Sequence, residues 1–469
     1  MKTKLFKRMN YLRAVTSRSR GITSLHMLRI ANSIIRSSLE YGAPLFFDSP
    51  PSALNILEVT YNAAIRLASG LPLWTPIQVL RREAVVPSIS SRLYLLTKFF
   101  ILRLLSAPPG LRLGDATRLV IATPNPCWKW WGPLQDLVLT AGCPLSYLTR
   151  YSWPPVPGSF KFEVTSSGLG FQDTSLPDAA IAQAWHIWVS SIPPCSLLAS
   201  DASKDDSKTT IAALDVLSGR TAAGLVPYSN SIFSAEAMAI YLALTTFPMH
   251  HPDIYILTDS LSVLKALEAW SFKSPVIILQ LLQVIHSHAS KDRRIHFIWC
   301  PGHRGIPPNE TVDSLTRSGP FSGTLFWISP EDCRATAYRD WQEENNYAWL
   351  SCDYAKNFPH LLPDRPFSAW IDSRSDDVDF ARWRSRTILT CNRLHRMNLT
   401  FSPLCTFCYD LDTPEHILLF CPRLHGPRAA LFTALNLPPH PSYSDVISAA
   451  SGSPRNLRHF IHFSHLVRS

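Results

Sequence analysis

The sequence predicts an α/β domain of five strands with flanking helices over residues 195–320, set between a basic helical region and a small Cys/His module. Three observations carry this. From Cys195 onward, short apolar runs alternate with helical periods, the texture of an α/β unit. Within that span four acids, Asp201, Glu236, Asp259 and Asp313, sit at predicted strand ends or in predicted helices. Further on, Cys405, Cys408, His416 and Cys421 place four metal-binding side chains within seventeen residues.

At 469 residues the chain exceeds one ordinary core, and about 150 residues per domain implies two to four folded units; three are expected. Its 46% hydrophobic and 17% charged residues can bury sizeable cores and exclude global disorder. The net charge of +10 favours a polyanionic partner, nucleic acid first, because cationic side chains that neutralise phosphates release condensed counterions. A merely soluble basic protein fits the charge alone equally well.

Residues 1–106 show apolar positions at three and four spacing, with lysines and arginines but no acid before Glu40, and read as a basic helical unit. The start, MKTKLFKRMNYLRAVTSRSR, lacks the apolar core and cleavage site of a secretory signal, so secretion is not expected. The apolar stretch 93–105 is broken by Lys98 and Arg103 and is too short to cross about 30 Å of hydrocarbon. It reads as an amphipathic core helix, and no membrane partner is expected. In 107–194, Pro108, Pro109, Pro124, Pro126, Pro154, Pro155 and Pro157 cluster around Trp128, Trp130 and Trp131 and predict a connector.

In the α/β span, 196–201, 211–217 and 222–228 read as successive strands, the first ending on Asp201. Ser234 is the expected cap of a helix burying Ala235, Met238, Ala239 and Leu242 as one stripe, with Glu236 in its first turn. Residues 254–258 form a continuous apolar run suited to a central strand, which stops at Asp259-Ser260, a cap for the next helix. That helix should bury Val263, Ala266, Leu267 and Trp270. Ser274-Pro275 opens another helix, 295–300 reads as a strand and 308–318 as a closing helix. Residues 321–380 form a helical spacer, and 381–469 hold an arginine-rich segment and the Cys/His module.

Singly, each acid has an ordinary reading: Asp259 as a cap, Glu236 complementing a helix dipole, Asp313 on a solvated helix face. Together they suit phosphodiester hydrolysis, in which two cations about 4 Å apart activate a water and stabilise the leaving oxygen. Hard cations such as Mg²⁺ require carboxylate oxygens and keep several waters, so a few convergent acids suit them better than a closed cage.

SDASK at 200–204, SAEAMAIYLAL at 234–244, ILTDSLSVLKAL at 256–267 and WCPGHRGIPPNETVDSL at 299–315 resemble the four signature blocks of type-1 ribonuclease H, in order. The resemblance implies a mixed five-stranded sheet with flanking helices. It further implies that Asp201, Glu236, Asp259 and Asp313 ligate two Mg²⁺ ions, with Mn²⁺ as a substitute, and that the partner is an RNA·DNA hybrid. His303, in the PGHRG loop, would assist proton transfer or product release, suited by imidazole's near-neutral pKa. The chain departs from the family at Val312, where a small residue is usual, and in KDDSKTT, where a glycine-rich turn is usual. Only Lys273 stands in 269–275, where some relatives carry a basic handle.

The spacing Cys405-x2-Cys408-x7-His416-x4-Cys421 suits one closed, structural Zn²⁺ site. Thr413 and Pro414 would start a short helix delivering His416 to the CxxC turn. Ordinary buried cysteines are the bland reading. Upstream, Arg382, Arg384, Arg386, Arg393 and Arg396 could contact phosphates or form a solvated face. Ten cysteines, scattered apart from this cluster, favour a reducing intracellular compartment, nucleus or cytoplasm.

RIANSIIRSSLEYGAPLF at 29–46 and YNAAIRLASGLP at 61–72 are similar to the segment that follows the reverse transcriptase in jockey-like non-LTR retrotransposon polyproteins. There, ribonuclease H and a Cys/His tail follow in the same order, which implies a reverse transcriptase as partner in the parent element. No polymerase aspartate pair is visible, so the chain reads as a truncated element or a partial gene. Three functions follow as expectations: an RNA·DNA hybrid endonuclease, an inactive nucleic-acid-binding relic, or a DNA-directed nuclease, the last disfavoured by the PGHRG loop.

Overall fold

A computed structural model describes residues 2–16, 21–122, 129–142, 144–150, 162–319, 327–361 and 370–468. Pro124, Pro126, Trp128, Pro154, Pro155 and Pro157 of the expected connector lie outside them, as do residues 17–20, 320–326 and 362–369. The chain forms two compact units, one of Met1–Leu96 with Trp341–Ser469 and one of Thr97–Asp340.

The second unit holds a mixed sheet of six strands, not five. These are β1 (Phe162–Thr165), β2 (Ser196–Lys204), β3 (Thr209–Asp215), β4 (Thr221–Val226), β5 (Asp253–Thr258) and β6 (Arg294–Trp299), in the order β1-β6-β5-β2-β3-β4. β2, β3 and β4 pair antiparallel; β2, β5, β6 and β1 run parallel. The added strand, FEVT, lies in the stretch where only a connector is expected. It is four residues long and only partly buried, and it completes the open edge of β6.

The helices packed on this sheet are α1 (Asp178–Ser191), α2 (Ile232–Thr246), α3 (Leu261–Glu268), α4 (Val276–Ala289) and α5 (Pro307–Ser318). Within 107–194 the described residues also form helices at Arg112–Ala122 and Trp131–Ala141. The period of two along each strand divides the core. Leu198, Ile211, Ala213, Ile254, Ile256, Ile295 and Phe297 face α2 and α4, whereas Leu197, Ala199, Ala212, Leu257, Ile298 and Cys300 face the layer that includes Phe171, Trp185 and Val312. Asp201 continues the row of Leu197 and Ala199, and Asp259 the row of Leu257, so both acids address the second face.

Three local expectations are corrected. β2 does not end at Asp201 but runs to Lys204, because it goes on pairing with β3 after its register with β5 ends at Ala199↔Leu257. The turn that closes this hairpin needs no glycine: Asp205 Oδ1 accepts from the Ser207 and Lys208 amides at 2.7 and 2.9 Å. The α2 cap is Ser231, whose hydroxyl accepts from the Ser234 amide at 3.2 Å, so Glu236 lies in the second turn. Burial on α2 is not one stripe, since Ala237, Ile240 and Ala243 are buried alongside Ala235, Met238 and Ala239, as in a helix covered on most sides.

In the first unit, helices at Ser24–Ala31, Pro51–Ser69 and Ile77–Ala84 share a core with Ala381. A second core gathers Phe380, Trp383, Leu418, Tyr443 and Phe460. Among the described residues no single helix is long and apolar enough to cross a membrane.

Candidate functional site

β2 delivers Asp201, α2 delivers Glu236 and the end of β5 delivers Asp259, and one oxygen from each lies within 4.8 Å of the others. Like charges this close and this buried resist ionisation. Burial first, and then the charges of Asp259 and Asp313, push the Asp201 carboxyl up to about 7. Burial, with Asp201 and Asp259 beside it, raises Glu236 well above the usual carboxylate range. Asp259 is raised by burial too, opposed by His303 and by a hydrogen bond from Asn309. Glu236 Oε2 is buried without a hydrogen-bond partner, a costly arrangement that a cation would relieve. The donor set, all carboxylate, fits hard divalent ions.

Asp313 lies on α5, outside this tight triad. Its carboxylate groups instead with His303 and Glu310, one ligand atom of each within 4.8 Å of the others. His303 Nδ1 is 3.6 Å from Asp313 Oδ2, and Arg317 is 3.0 Å from Asp313 Oδ1. The two groups meet at Thr316, whose hydroxyl lies 3.3 Å from Asp201 Oδ2 and 2.8 Å from the Asp313 carbonyl.

Three contributors escape a sequence reading. Asn309, buried one turn before Asp313, is held by the Cys300 thiol at 3.4 Å while its amide reaches Asp259. Thr316 lies on the same helical face, and the i, i+4, i+7 spacing of 309, 313 and 316 is the signal that could have found both. Gly302 is the third: a Cβ there would stand 2.7 Å from Asp259 Oδ2, so only glycine lets the loop come this close. Gly302→Ala should therefore displace the Asp259 carboxylate and slow turnover roughly tenfold to a hundredfold with the fold intact, measured as kcat beside circular dichroism. An unchanged kcat would show that the close approach is incidental.

The raised acids set a pH dependence. A carboxyl whose folded pKa lies above its unfolded value near 4 contributes stability that is complete below that value and is lost as pH rises through the folded one. For Asp201 the window ends at about 7. Without magnesium, the melting midpoint of this unit should fall between roughly pH 4 and 7, and Mg²⁺ should restore it more at the upper end. A magnesium shift independent of pH would contradict this.

In the other unit, one ligand atom each of Cys405, Cys408, His416 and Cys421 lie within 4.8 Å of one another. Cys405 and Cys421 sulfurs are 4.0 Å apart, and Cys408 Sγ is 3.2 Å from His416 Nε2. The CxxC turn is closed by the Cys405 amide donating to the Asp410 carbonyl at 2.7 Å. As expected, Thr413 caps the next turn, accepting from the His416 amide at 3.1 Å. Burial would raise the Cys405 thiol, but the Cys408 and Phe407 amides and His416 outweigh it and bring it down to about 7, already suited to a thiolate ligand.

Three of the upstream arginines are committed inside the fold and are not available to phosphates. Arg384 is buried against Glu83 at 3.2 Å, Arg386 pairs with Glu415 at 2.7 Å, and Arg382 donates to the Gly70 carbonyl at 3.0 Å. Arg382 and Arg384 stand on the helix Arg374–Arg384, most of whose residues are buried, and Arg386 follows two residues after it. Arg396 is exposed.

Residues 196–320 match the RNase H family, and the six-stranded unit therefore contains an RNase H domain. Domains of this family bind nucleic-acid hybrids, hydrolyse the RNA strand and generally use divalent metal ions.

Proposed function

We propose that the chain is an endonuclease that hydrolyses the RNA strand of RNA·DNA hybrids by a two-metal mechanism, leaving 5′-phosphate and 3′-hydroxyl ends. The observation that carries it is the convergence of Asp201, Glu236 and Asp259 within 4.8 Å, with a buried Glu236 oxygen that has no partner. Asp201, Glu236, Asp259 and Asp313 would hold the ions. When bound, two divalent cations supply Lewis-acid stabilisation of charge developing on the phosphoryl oxygens. Asn309 and Gly302 fix the direction of the Asp259 carboxylate, and Thr316 ties Asp201 to α5. His303, exposed and 3.6 Å from Asp313, would move a proton beside the acids.

The Cys405, Cys408, His416 and Cys421 group suits one structural Zn²⁺. Zinc-ready thiols and a hybrid substrate both fit an intracellular setting, nucleus or cytoplasm. The order of helical segment, RNase H domain and Cys/His module supports an origin in a jockey-like non-LTR retrotransposon polyprotein, where the partner is that element's reverse transcriptase. The reading is tested by offering labelled RNA·DNA hybrid, duplex DNA and duplex RNA side by side in Mg²⁺. Cleavage of the RNA strand of the hybrid alone is expected, and cutting confined to duplex DNA would sink it.

A further inference from the structure

We infer that residues 162–192, which precede the RNase H match, are a working part of the catalytic unit: they clasp the His303 loop at both ends, with Arg304 as the positioning residue. The proposal rests on the function proposed above.

The loop leaves β6 at Trp299. There the Gln172 side-chain amide donates to the Trp299 carbonyl and to the Thr165 carbonyl of β1, both at 2.8 Å, tying the loop's origin to the added strand. Gln172 is itself buried, its Oε1 accepting from the Leu169 amide at 3.0 Å. At the far end, the Arg304 guanidinium spans the start of α1. Its Nε donates to Asp178 Oδ1 at 2.6 Å, one terminal nitrogen to the Thr174 carbonyl at 3.2 Å, and the other to the Leu176 carbonyl. Beneath the loop, Phe171, Ile181 and Trp185 are buried with Cys300 and Ile306 in one apolar cluster.

Between these anchors sits His303, at a φ of 55°, a conformation that L residues other than glycine adopt at a cost. It persists only where the surroundings over-determine it, and the four hydrogen bonds from this segment to the loop, with the apolar floor beneath, do so. The side chain is thereby left exposed yet aimed at Asp313, 3.6 Å away. Backbone carbonyls can hold a forked guanidinium but offer a lysine at most part of the grip, so Arg304 is not interchangeable with lysine here.

The test uses the full chain. Arg304→Ala should lower kcat for hybrid cleavage about tenfold with KM little changed, Asp178→Ala less, and Arg304→Lys should recover part of the loss. In a His303→Ala background the same Arg304→Ala change should cost less than about twofold, because the anchor acts through His303. Equal losses in both backgrounds, or no loss in either, would overturn the proposal. Amide hydrogen exchange provides a readout independent of turnover: residues 300–306 should exchange faster in both Arg304→Ala and Asp178→Ala. Faster exchange in a wild-type chain background that cleaves nothing would uphold the clasp and sink the nuclease reading; unchanged exchange would sink the clasp.

Discussion

Stripping zinc from the Cys/His module is expected to unfold it while the RNase H domain stays folded. Cys421 is a buried member of the module's core while Cys405 and Cys408 pack against it, so the cluster is part of what holds that core together. Three cysteine sulfurs and one imidazole lie within 4.8 Å of one another, and the sulfurs would repel one another as thiolates without a cation between them. Structural zinc supplies on the order of 10 kcal/mol to such modules, comparable with a whole domain's stability. Native mass spectrometry should show one zinc per chain, absent in Cys408→Ser. Proteolysis should then cut within 388–468 and spare 196–319. A chelated chain with an unaltered digestion pattern would mean that the cysteines are ordinary core residues.

The second large effect is at Glu236. Glu236→Gln keeps the shape but removes a charge that the cations require, and cleavage should fall on the order of a thousandfold, about 4 kcal/mol of transition-state stabilisation. The same change should stabilise the magnesium-free domain. Glu236 is buried with an unpartnered oxygen beside two other acids, so its carboxylate is a strained feature that an amide relieves by donating to them. A gain on the order of 1 kcal/mol, roughly 2–4 °C, is expected from thermal melting. Loss of activity together with loss of stability would point to misfolding rather than to a ligand role.

Much of the site was legible because its chemistry is local: a carboxylate at the end of an apolar strand run, as at Asp259, can be read from five residues. The strands from Ser196 to Trp299 were legible as elements because each carries a short apolar run, even where, as in β4 and β6, only half the residues are buried. What escaped depends on pairing at a distance. Phe162–Thr165 is too short and too exposed to announce a strand, and it becomes one only through β6. Asp201 reads as the end of its strand because the apolar run stops just before it; that β2 goes on pairing with β3 to Lys204 is a fact of register that periodicity does not contain. Ser234 reads as the cap from sequence, and the extended backbone at Ser231 places the cap three residues earlier. The arginines before Cys391 look like a phosphate-binding run until Glu83, Glu415 and the Gly70 carbonyl are seen to claim them. Asn309 and Gly302 matter only through what each touches, Asp259, which is distant in sequence.

The most direct test of the account is Mg²⁺-dependent cleavage of a labelled RNA·DNA hybrid by the wild-type chain and by Asp259→Asn, with hybrid binding measured for both. The account predicts that the wild type cuts the RNA strand and leaves the DNA strand intact, and that Asp259→Asn binds the hybrid without cutting it. If both proteins bind the hybrid and neither cuts, the acids do not form a working metal centre and the chain acts by binding alone.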